Sequence, residues 1–83
     1  MKTYFFHLRD GVDVLLDPEG RSLPTIEAVA AAAMREAREL ISAEAKTGKI
    51  SLILRLDVED QEGNIIHSLP FEDAVEIERE PEG

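Results

Sequence analysis

Histidine and arginine side chains are the first candidates for chemistry in this chain. The 83-residue sequence contains two histidines and no cysteine. His7 and His67 both fall in segments with strand-like alternation, and Arg9 follows His7 by two residues. Paired strands could bring the two imidazoles together, with Asp13 or Asp57 completing a metal site. No spacing fixes such a set of ligands, so half-buried strand histidines are the simpler interpretation.

Other motifs that carry chemistry do not occur in the sequence. The serines lack the context of a nucleophile elbow, and no glycine-rich loop could bind phosphate. The acidic run over residues 57–64 lacks the alternating ligands and the final glutamate of a calcium loop. Acidic residues are so frequent in this half that no pair can be singled out for acid–base catalysis. We therefore expect a protein that is not an enzyme, with no catalytic residue, no cofactor and no metal.

The charge of the chain is unevenly distributed. The formal net charge is −9, from 18 acidic and 9 basic side chains. Residues 1–56 hold eight of each sign, so the acidic excess lies entirely in residues 57–83, where Arg79 is the one basic residue. A solvated acidic face and a docking surface for a basic partner both fit this distribution. Direct contact with nucleic acid is not expected, because phosphate binding needs clustered lysine and arginine.

The sequence also argues against export and membrane insertion. The N-terminal residues lack the apolar core of a signal peptide, and no apolar run reaches the roughly 18 residues of a membrane span. The absence of cysteine fits a reducing compartment. We expect a small soluble, cytoplasmic protein with one domain over residues 1–79 and a disordered acidic tail over residues 80–83.

The element on which the rest of the chain depends is a long amphipathic helix predicted over residues 25–46. Its apolar residues recur at intervals of three and four and form one broad stripe. Thr25 can cap the first turn, Pro24 stops backward extension, and Gly48 suits the C-terminal end. Many alanines on the stripe would let the helix approach a sheet closely.

Strands are predicted on both sides of this helix. Alternating apolar residues predict strands over residues 3–9, 12–16, 49–58 and 65–69. Asp10-Gly11 and residues 17–20 predict turns, and residues 70–78 predict a short turn followed by an extended piece. The order strand–strand–helix–strand–strand predicts an α+β two-layer sandwich, in which a mainly antiparallel sheet carries the helix on one face. The pattern leaves the order of the strands within the sheet open.

One helix can cover only one face of that sheet, so the other face is a candidate interaction surface. It would show Phe5, His7, Arg9, Ile53 and Arg55. This surface is partly apolar, and we expect residues 70–78, a second copy in a homodimer, or another protein to cover it.

Several short motifs carry a resemblance that spans nearly the whole chain. Residues 4–11 read Tyr-Phe-Phe-His-Leu-Arg-Asp-Gly, residues 17–20 read Asp-Pro-Glu-Gly, and Leu23-Pro24 precedes the alanine-rich helix. Pro70-Phe71 and Ala74-Val75 follow near the end. These motifs resemble those of a family of short uncharacterised alphaproteobacterial proteins, a domain of unknown function. The resemblance implies a bacterial protein and no particular activity.

Two functional hypotheses follow from these observations. The first is a small non-catalytic protein-interaction or regulatory module, which acts through the sheet face, an edge strand or the acidic segment. The alternative is a small-ligand or metal-binding domain that uses Arg9, His7 and His67.

Overall fold

The computed structural model describes residues 1–11 and 13–79, so the tail predicted at residues 80–83 lies outside it. Within the described residues the elements are β1 (Lys2–Asp10), β2 (Asp13–Leu15), β3 (Arg21–Leu23), α1 (Ile26–Ala45), β4 (Leu54–Glu59) and β5 (Ile65–Pro70). A short 3₁₀ helix, Phe71–Asp73, follows β5. The predicted α+β class is confirmed, with the helix packed on an antiparallel sheet. The predicted order lacked one strand, β3.

The sheet is organised around its two central strands, β1 and β4. The strand order is β2-β1-β4-β5, and every pairing is antiparallel. Both predicted hairpins are present, β1 with β2 and β4 with β5. The short strand β3 pairs with the start of β1, where Tyr4 lies opposite Arg21, so the chain after β2 runs back along β1.

The core lies between this sheet and the alanine-rich stripe of the helix. The buried side chains are Tyr4, Phe6, Val29, Ala32, Ala33, Ala37, Ile41, Leu56, Val58, Leu69, Phe71 and Ala74. Alternate residues of each strand point to this side, as a pleated strand requires. A fully buried valine or leucine contributes about 1.5–3 kcal/mol relative to its exposed state, so Leu56 and Val58 on the central strand anchor the two layers.

The helix begins and ends close to the predicted positions. The Thr25 hydroxyl accepts a hydrogen bond from the Ala28 amide at 3.0 Å, which confirms it as the N-cap. The C-cap is Lys46, and Gly48 follows with a φ of +90°. Within the described residues, no helix combines the length and the apolar character that crossing a membrane requires.

The strand predicted over residues 49–58 starts five residues later than expected, at Leu54. Its partner β1 ends at Asp10, which pairs with Leu54, so the preceding residues have no strand beside them. The Ser51 amide instead donates to the Glu44 carboxylate at 3.0 Å. Ile53 consequently lies outside the strand, with 73% of its surface exposed.

The C-terminal segment packs on the helix side of the sheet. Phe71 and Ala74 are fully buried members of the main core. Arg38 on α1 donates from Nε to the Ala74 carbonyl oxygen at 2.8 Å. Since this segment is anchored between helix and sheet, it does not cover the opposite face, which the sequence had suggested as one arrangement.

The chain between β2 and β3 departs from β1, and Asp17 fills the gap. Leu8 pairs with Leu15 and Tyr4 with Arg21, so the segment opposite β1 carries two extra residues. The Asp17 carboxylate accepts a hydrogen bond from the Phe6 amide at 3.1 Å, which replaces the missing strand partner. This carboxylate therefore closes the edge of the sheet where the backbone cannot.

Substitution of Gly20, which ends this gap, should be costly. Its φ is +72°, and an added Cβ would lie 2.8 Å from Thr3 Cγ2 and 2.9 Å from the Tyr4 carbonyl oxygen. We expect Gly20→Ala to lower the free energy of unfolding by about 3 kcal/mol, from about 1–2 for the left-handed backbone and the rest from crowding. Urea denaturation measures this loss.

Gly11→Ala is the matched control, because Gly11 also has a positive φ, +59°, but open space at the Cβ position. It should lose only the backbone part, about 1–2 kcal/mol. Equal losses in the two variants would show that close packing at Gly20 does not matter.

Candidate interaction surface

The face of the sheet opposite the helix, here the outer face, is built from cross-strand rows. The register gives the rows Phe5–Glu59–Ile65, His7–Asp57–Ser68 and Arg9–Arg55–Pro70. Four of the residues predicted for the interaction surface therefore lie together on this face. Ile53, the fifth, precedes β4 and stands outside the rows.

Asp57 is the centre of the outer face. Only 1% of its surface is exposed. Its carboxylate accepts hydrogen bonds from Arg9 Nε and Ser68 Oγ, and it lies 3.0 Å from Arg55 Nε. Arg9 and Arg55 are direct cross-strand partners, a placement that repels two like charges. The shared carboxylate offsets this repulsion and joins β1, β4 and β5.

The environment of Asp57 favours its ionised form. Burial by itself raises the pKa of the Asp57 carboxyl, but the hydrogen bonds from Ser68, Arg55 and Arg9 outweigh it. The pKa of Asp57 therefore lies below its ordinary value of 3.8. The folded state holds this group as a carboxylate at neutral pH.

His7 connects the outer face to the gap between β2 and β3. It is 8% exposed, and its Nδ1 accepts a hydrogen bond from the Asp17 amide at 3.0 Å. The ring proton consequently lies on Nε2, which faces the Glu59 carboxylate at 3.3 Å. Both ring nitrogens have protein partners, so His7 serves the structure of the face.

The structure does not bring His67 to His7 and Arg9. His67 pairs with Val58, on the row that faces the helix, whereas His7 lies on the outer face with β4 between them. Asp13 lies on β2, exposed, and Asp57 is enclosed by arginines. Among the described residues, no group of three or more His, Cys, Asp or Glu side chains could hold a metal ion.

The buried polar groups of the outer face find their hydrogen-bond partners within the same chain. In the part of the chain that the structure describes, no buried side-chain nitrogen or oxygen lacks a hydrogen-bond partner. A second layer over this face is therefore not required by unsatisfied polar groups. The sheet edges remain as the candidate places for a partner.

The first edge is formed by β2 and β3, and it is interrupted. Each strand has three residues, and the Asp17 gap separates them. Burial raises the pKa of the Asp17 carboxyl, but hydrogen bonds from the Phe6, Gly20 and Glu19 amides and the charge of Arg21 bring it below its ordinary value. Because the ionised Asp17 carboxylate occupies the Phe6 amide, the edge has no long run of free backbone groups.

A cleft lies between this first edge and the helix, with a volume of about 390 Å³. Phe6, Leu8 and Leu56 contribute apolar surface to it. Arg21 lies 4.6 Å from the centre of the Phe6 ring and binds Glu36 on α1 at 2.8 Å. Arg21 and Glu36 therefore already satisfy each other's charge within the cleft.

The second edge is β5, which is continuous over six residues. It pairs with β4 on one side, and no other strand of the described chain pairs with its other side. Its sequence, Ile-Ile-His-Ser-Leu-Pro, carries no acidic residue, lysine or arginine. A register shift opposite Val58 and Glu59 and the final Pro70 are its only irregularities within the described residues.

The direction of the free backbone groups on β5 follows from the register. The Phe6 amide points away from β4, because it donates to Asp17. In antiparallel pairing the direction of these groups alternates, so Val58, opposite Phe6, directs its backbone groups toward β5. Ser68, which pairs with Asp57, then directs its N–H and C=O outward, at the free edge.

Sequence reasoning identified the strands of this site but missed most of its contacts. The tertiary contacts of Asp17, Glu59 and Ser68 depend on partners in other strands, which no local pattern indicates. Pro70 is a local signal of an edge position, since proline cannot donate to a sheet ladder.

Comparison with known proteins gives one match. A protein-family model described as a domain of unknown function (DUF6894) matches residues 3–72. No curated protein and no solved structure matches the chain.

Acid should destabilise the protein through Asp57 and Asp17. The pKa of each carboxyl is lower in the folded state, so the unfolded chain binds the proton first as pH falls. Their stabilising contribution is complete above about pH 4 and is lost as pH falls through the folded-state values. Urea denaturation at a series of pH values between neutrality and strong acid should show this loss.

Asp57→Asn tests the central carboxylate directly. We expect a loss of about 2 kcal/mol at neutral pH, because hydrogen bonds to a charged group are worth about 1.5–3 kcal/mol and the arginines can partly rehydrate. The acid-dependent loss should also be smaller in the variant. Asp13→Asn, at an exposed position on β2, should change stability by less than about 0.5 kcal/mol. An unchanged acid profile in Asp57→Asn would contradict this role.

Proposed function

This chain belongs to the DUF6894 family, a domain of unknown function, and from its geometry we propose that it is a non-catalytic protein-interaction module. The module binds its partner by adding an extended segment of that partner to the free edge of β5. Main-chain hydrogen bonds give such strand addition its affinity, and side-chain contacts on alternate residues give it specificity.

The observation that carries this proposal is the state of β5 itself. Proteins normally protect a sheet edge with charged side chains, prolines, bulges or a covering segment, because unpaired N–H and C=O groups attract another strand. β5 has no acidic, lysine or arginine side chain in its six residues. Ile65, at its start, is 54% exposed. β5 carries a register shift near its start and Pro70 at its end, but Ser68 between them is exposed and has no charged neighbour within the strand, so its outward groups are accessible.

The opposite edge supports this choice by contrast. There the two short strands are separated by the Asp17 gap, and a carboxylate already occupies the outward amide of Phe6. Leu15 and Leu16 are exposed beside the gap, at 70% and 64%. They offer apolar surface but no continuous ladder for a partner segment.

The alternative of a small-ligand or metal-binding domain based on Arg9, His7 and His67 has no comparable support. Arg9 is committed to Asp57, and His67 lies on the other face of the sheet. We also propose that the protein acts in the bacterial cytoplasm. The absence of cysteine and the resemblance of its opening motif to alphaproteobacterial proteins support that location.

A pair of substitutions at Ser68 tests strand addition without changing charge. Short peptides selected from a random display library against the whole protein provide the probe. Ser68→Pro removes the outward N–H, which an edge strand tolerates structurally, and should weaken peptide binding at least about tenfold, or about 1.4 kcal/mol. Ser68→Ala loses the same hydroxyl contact to Asp57 but keeps the N–H, and should bind like the wild type.

Amide resonances measured by NMR during the titration locate the binding. Peptide should shift the resonances of residues 65–69 more than those of β2. Selected peptides that bind Ser68→Pro and wild type equally, or that shift only β2, would overturn the proposal. Thermal unfolding of both variants checks that each is folded at the temperature of the measurement.

A further inference from the structure

We infer that His7 is a proton-sensitive switch for the first edge of the sheet. When its imidazole takes a second proton, the segment that fills the gap between β2 and β3 leaves β1, and the Phe6 amide becomes free. The inference rests on two hydrogen bonds, one from the Asp17 amide to His7 and one from the Phe6 amide to the Asp17 carboxylate. It concerns the edge opposite β5, so it stands whether or not β5 binds a partner.

The switch begins with an imidazole that acts as an acceptor. Nδ1 of His7 accepts from the Asp17 backbone amide at 3.0 Å, so this nitrogen carries no proton. Nε2 carries the ring proton and lies 3.3 Å from a carboxylate oxygen of Glu59. Only 8% of the His7 surface is exposed, so water has little access to either nitrogen. His7 therefore holds the Asp17 amide only in its neutral form.

A second proton on the ring would place two donors face to face. A charged imidazole donates from both nitrogens, and Nδ1 would then carry a hydrogen directed at the Asp17 N–H. Since two N–H groups cannot share a hydrogen bond, the Asp17 amide must move away before the proton binds at Nδ1. By linkage, a lower pH favours the arrangement that binds the proton, which is the open one. Histidine is the side chain whose charge ordinarily changes between about pH 5 and 8.

The charges around the ring keep a charged His7 within the sheet. The charged residues on the neighbouring elements are Glu59 and the cross-strand partner Asp57 on β4, Arg9 on β1, and Asp17 in the gap. The charge of Arg9 is offset by its ion pair with Asp57. The Glu59 carboxylate can accept from Nε2 in both charge states, because that contact does not involve Nδ1. The proton therefore breaks the contact with Asp17 and keeps the contact with Glu59.

Asp17 transmits this change to the backbone of β1. Its carboxylate accepts the Phe6 amide at 3.1 Å, and it also accepts the Gly20 amide at 3.1 Å and the Glu19 amide at 3.3 Å. Residues 17–20 are thus one hydrogen-bonded unit, which the His7 and Phe6 contacts join to β1. Loss of the His7 contact weakens the hold of the whole unit. The Phe6 N–H then becomes available at the edge, between the two short strands.

Amide hydrogen exchange of the whole protein, measured by NMR from about pH 8 to about pH 5, tests the switch. We expect the protection factor of the Phe6 amide, which corrects for the intrinsic pH dependence of exchange, to fall at least about tenfold as His7 becomes charged. The nitrogen resonances of the imidazole report that charge and should place the ring proton on Nε2 at the upper end of the series.

The Leu56 amide is the internal control. Leu56 lies two residues before Val58 on β4 and so directs its amide toward β5, away from the gap. Its protection should stay constant over the same series. The series ends above the range in which Asp17 and Asp57 take up protons, because the pKa of each carboxyl lies below 3.8. A selective fall at Phe6 therefore reports His7 and not general acid unfolding.

Two histidine variants complete the test. His7→Gln keeps one acceptor and one donor on the side chain but takes up no proton near neutral pH, so its Phe6 protection should not depend on pH. His67→Gln is the matched control, because it removes the other histidine, on the row that faces the helix. This control should keep the response of the wild-type protein.

Three results would overturn the switch. The first is a wild-type His7 that becomes charged while the Phe6 protection factor stays within about twofold. The second is a His7 that stays neutral throughout the series, and the third is an equal response to pH in His7→Gln and wild type. A fall in Phe6 protection that follows the charge of His7 in the wild-type protein supports the switch even where glutamine fits the site poorly.

Discussion

A single buried carboxylate, that of Asp57, links the three longest strands of the sheet. It lies on β4 and accepts hydrogen bonds from Arg9 on β1 and from Ser68 on β5. Arg55, opposite Arg9, shares the same carboxylate. Because these contacts satisfy the buried polar groups of the outer face within one chain, no second layer is needed there to satisfy them. The partner that we propose therefore binds at an edge of the sheet and not on its face.

The two edges of the sheet differ in whether their outward backbone groups have a hydrogen-bond partner. At the β2–β3 edge, the Asp17 carboxylate takes the Phe6 amide that a continuous strand would have paired. At β5, the outward backbone groups around Ser68 have neither a strand nor a carboxylate beside them among the described residues. One side chain thus decides which edge is closed.

Sequence patterns predicted the parts of the fold that depend on near neighbours. The cap at Thr25, the helical stripe and both hairpins involve residues close in the chain, so composition and spacing indicate them directly. The central pairing of β1 with β4 joins residues such as Arg9 and Asp57, which are 48 positions apart, and no local pattern encodes it. Ile53 shows what alternation alone cannot predict. The alternating pattern includes Ile53, but β4 begins only at Leu54, where its partner β1 ends. Much of the outer face was thus foreseen, but its organising carboxylate was not.

The pairing of β1 with β4 also affects how the chain is made. The amino-terminal strand β1 is synthesised first. It can form the centre of the sheet only after β4 has also been synthesised. Phe71, fully buried, emerges later still. Contacts this distant in sequence slow folding, because a long loop must be ordered before they form. A nascent chain that ends before β4 has only a hairpin, a short strand and a helix, so the stable domain forms only after β4, β5 and Phe71 have been synthesised.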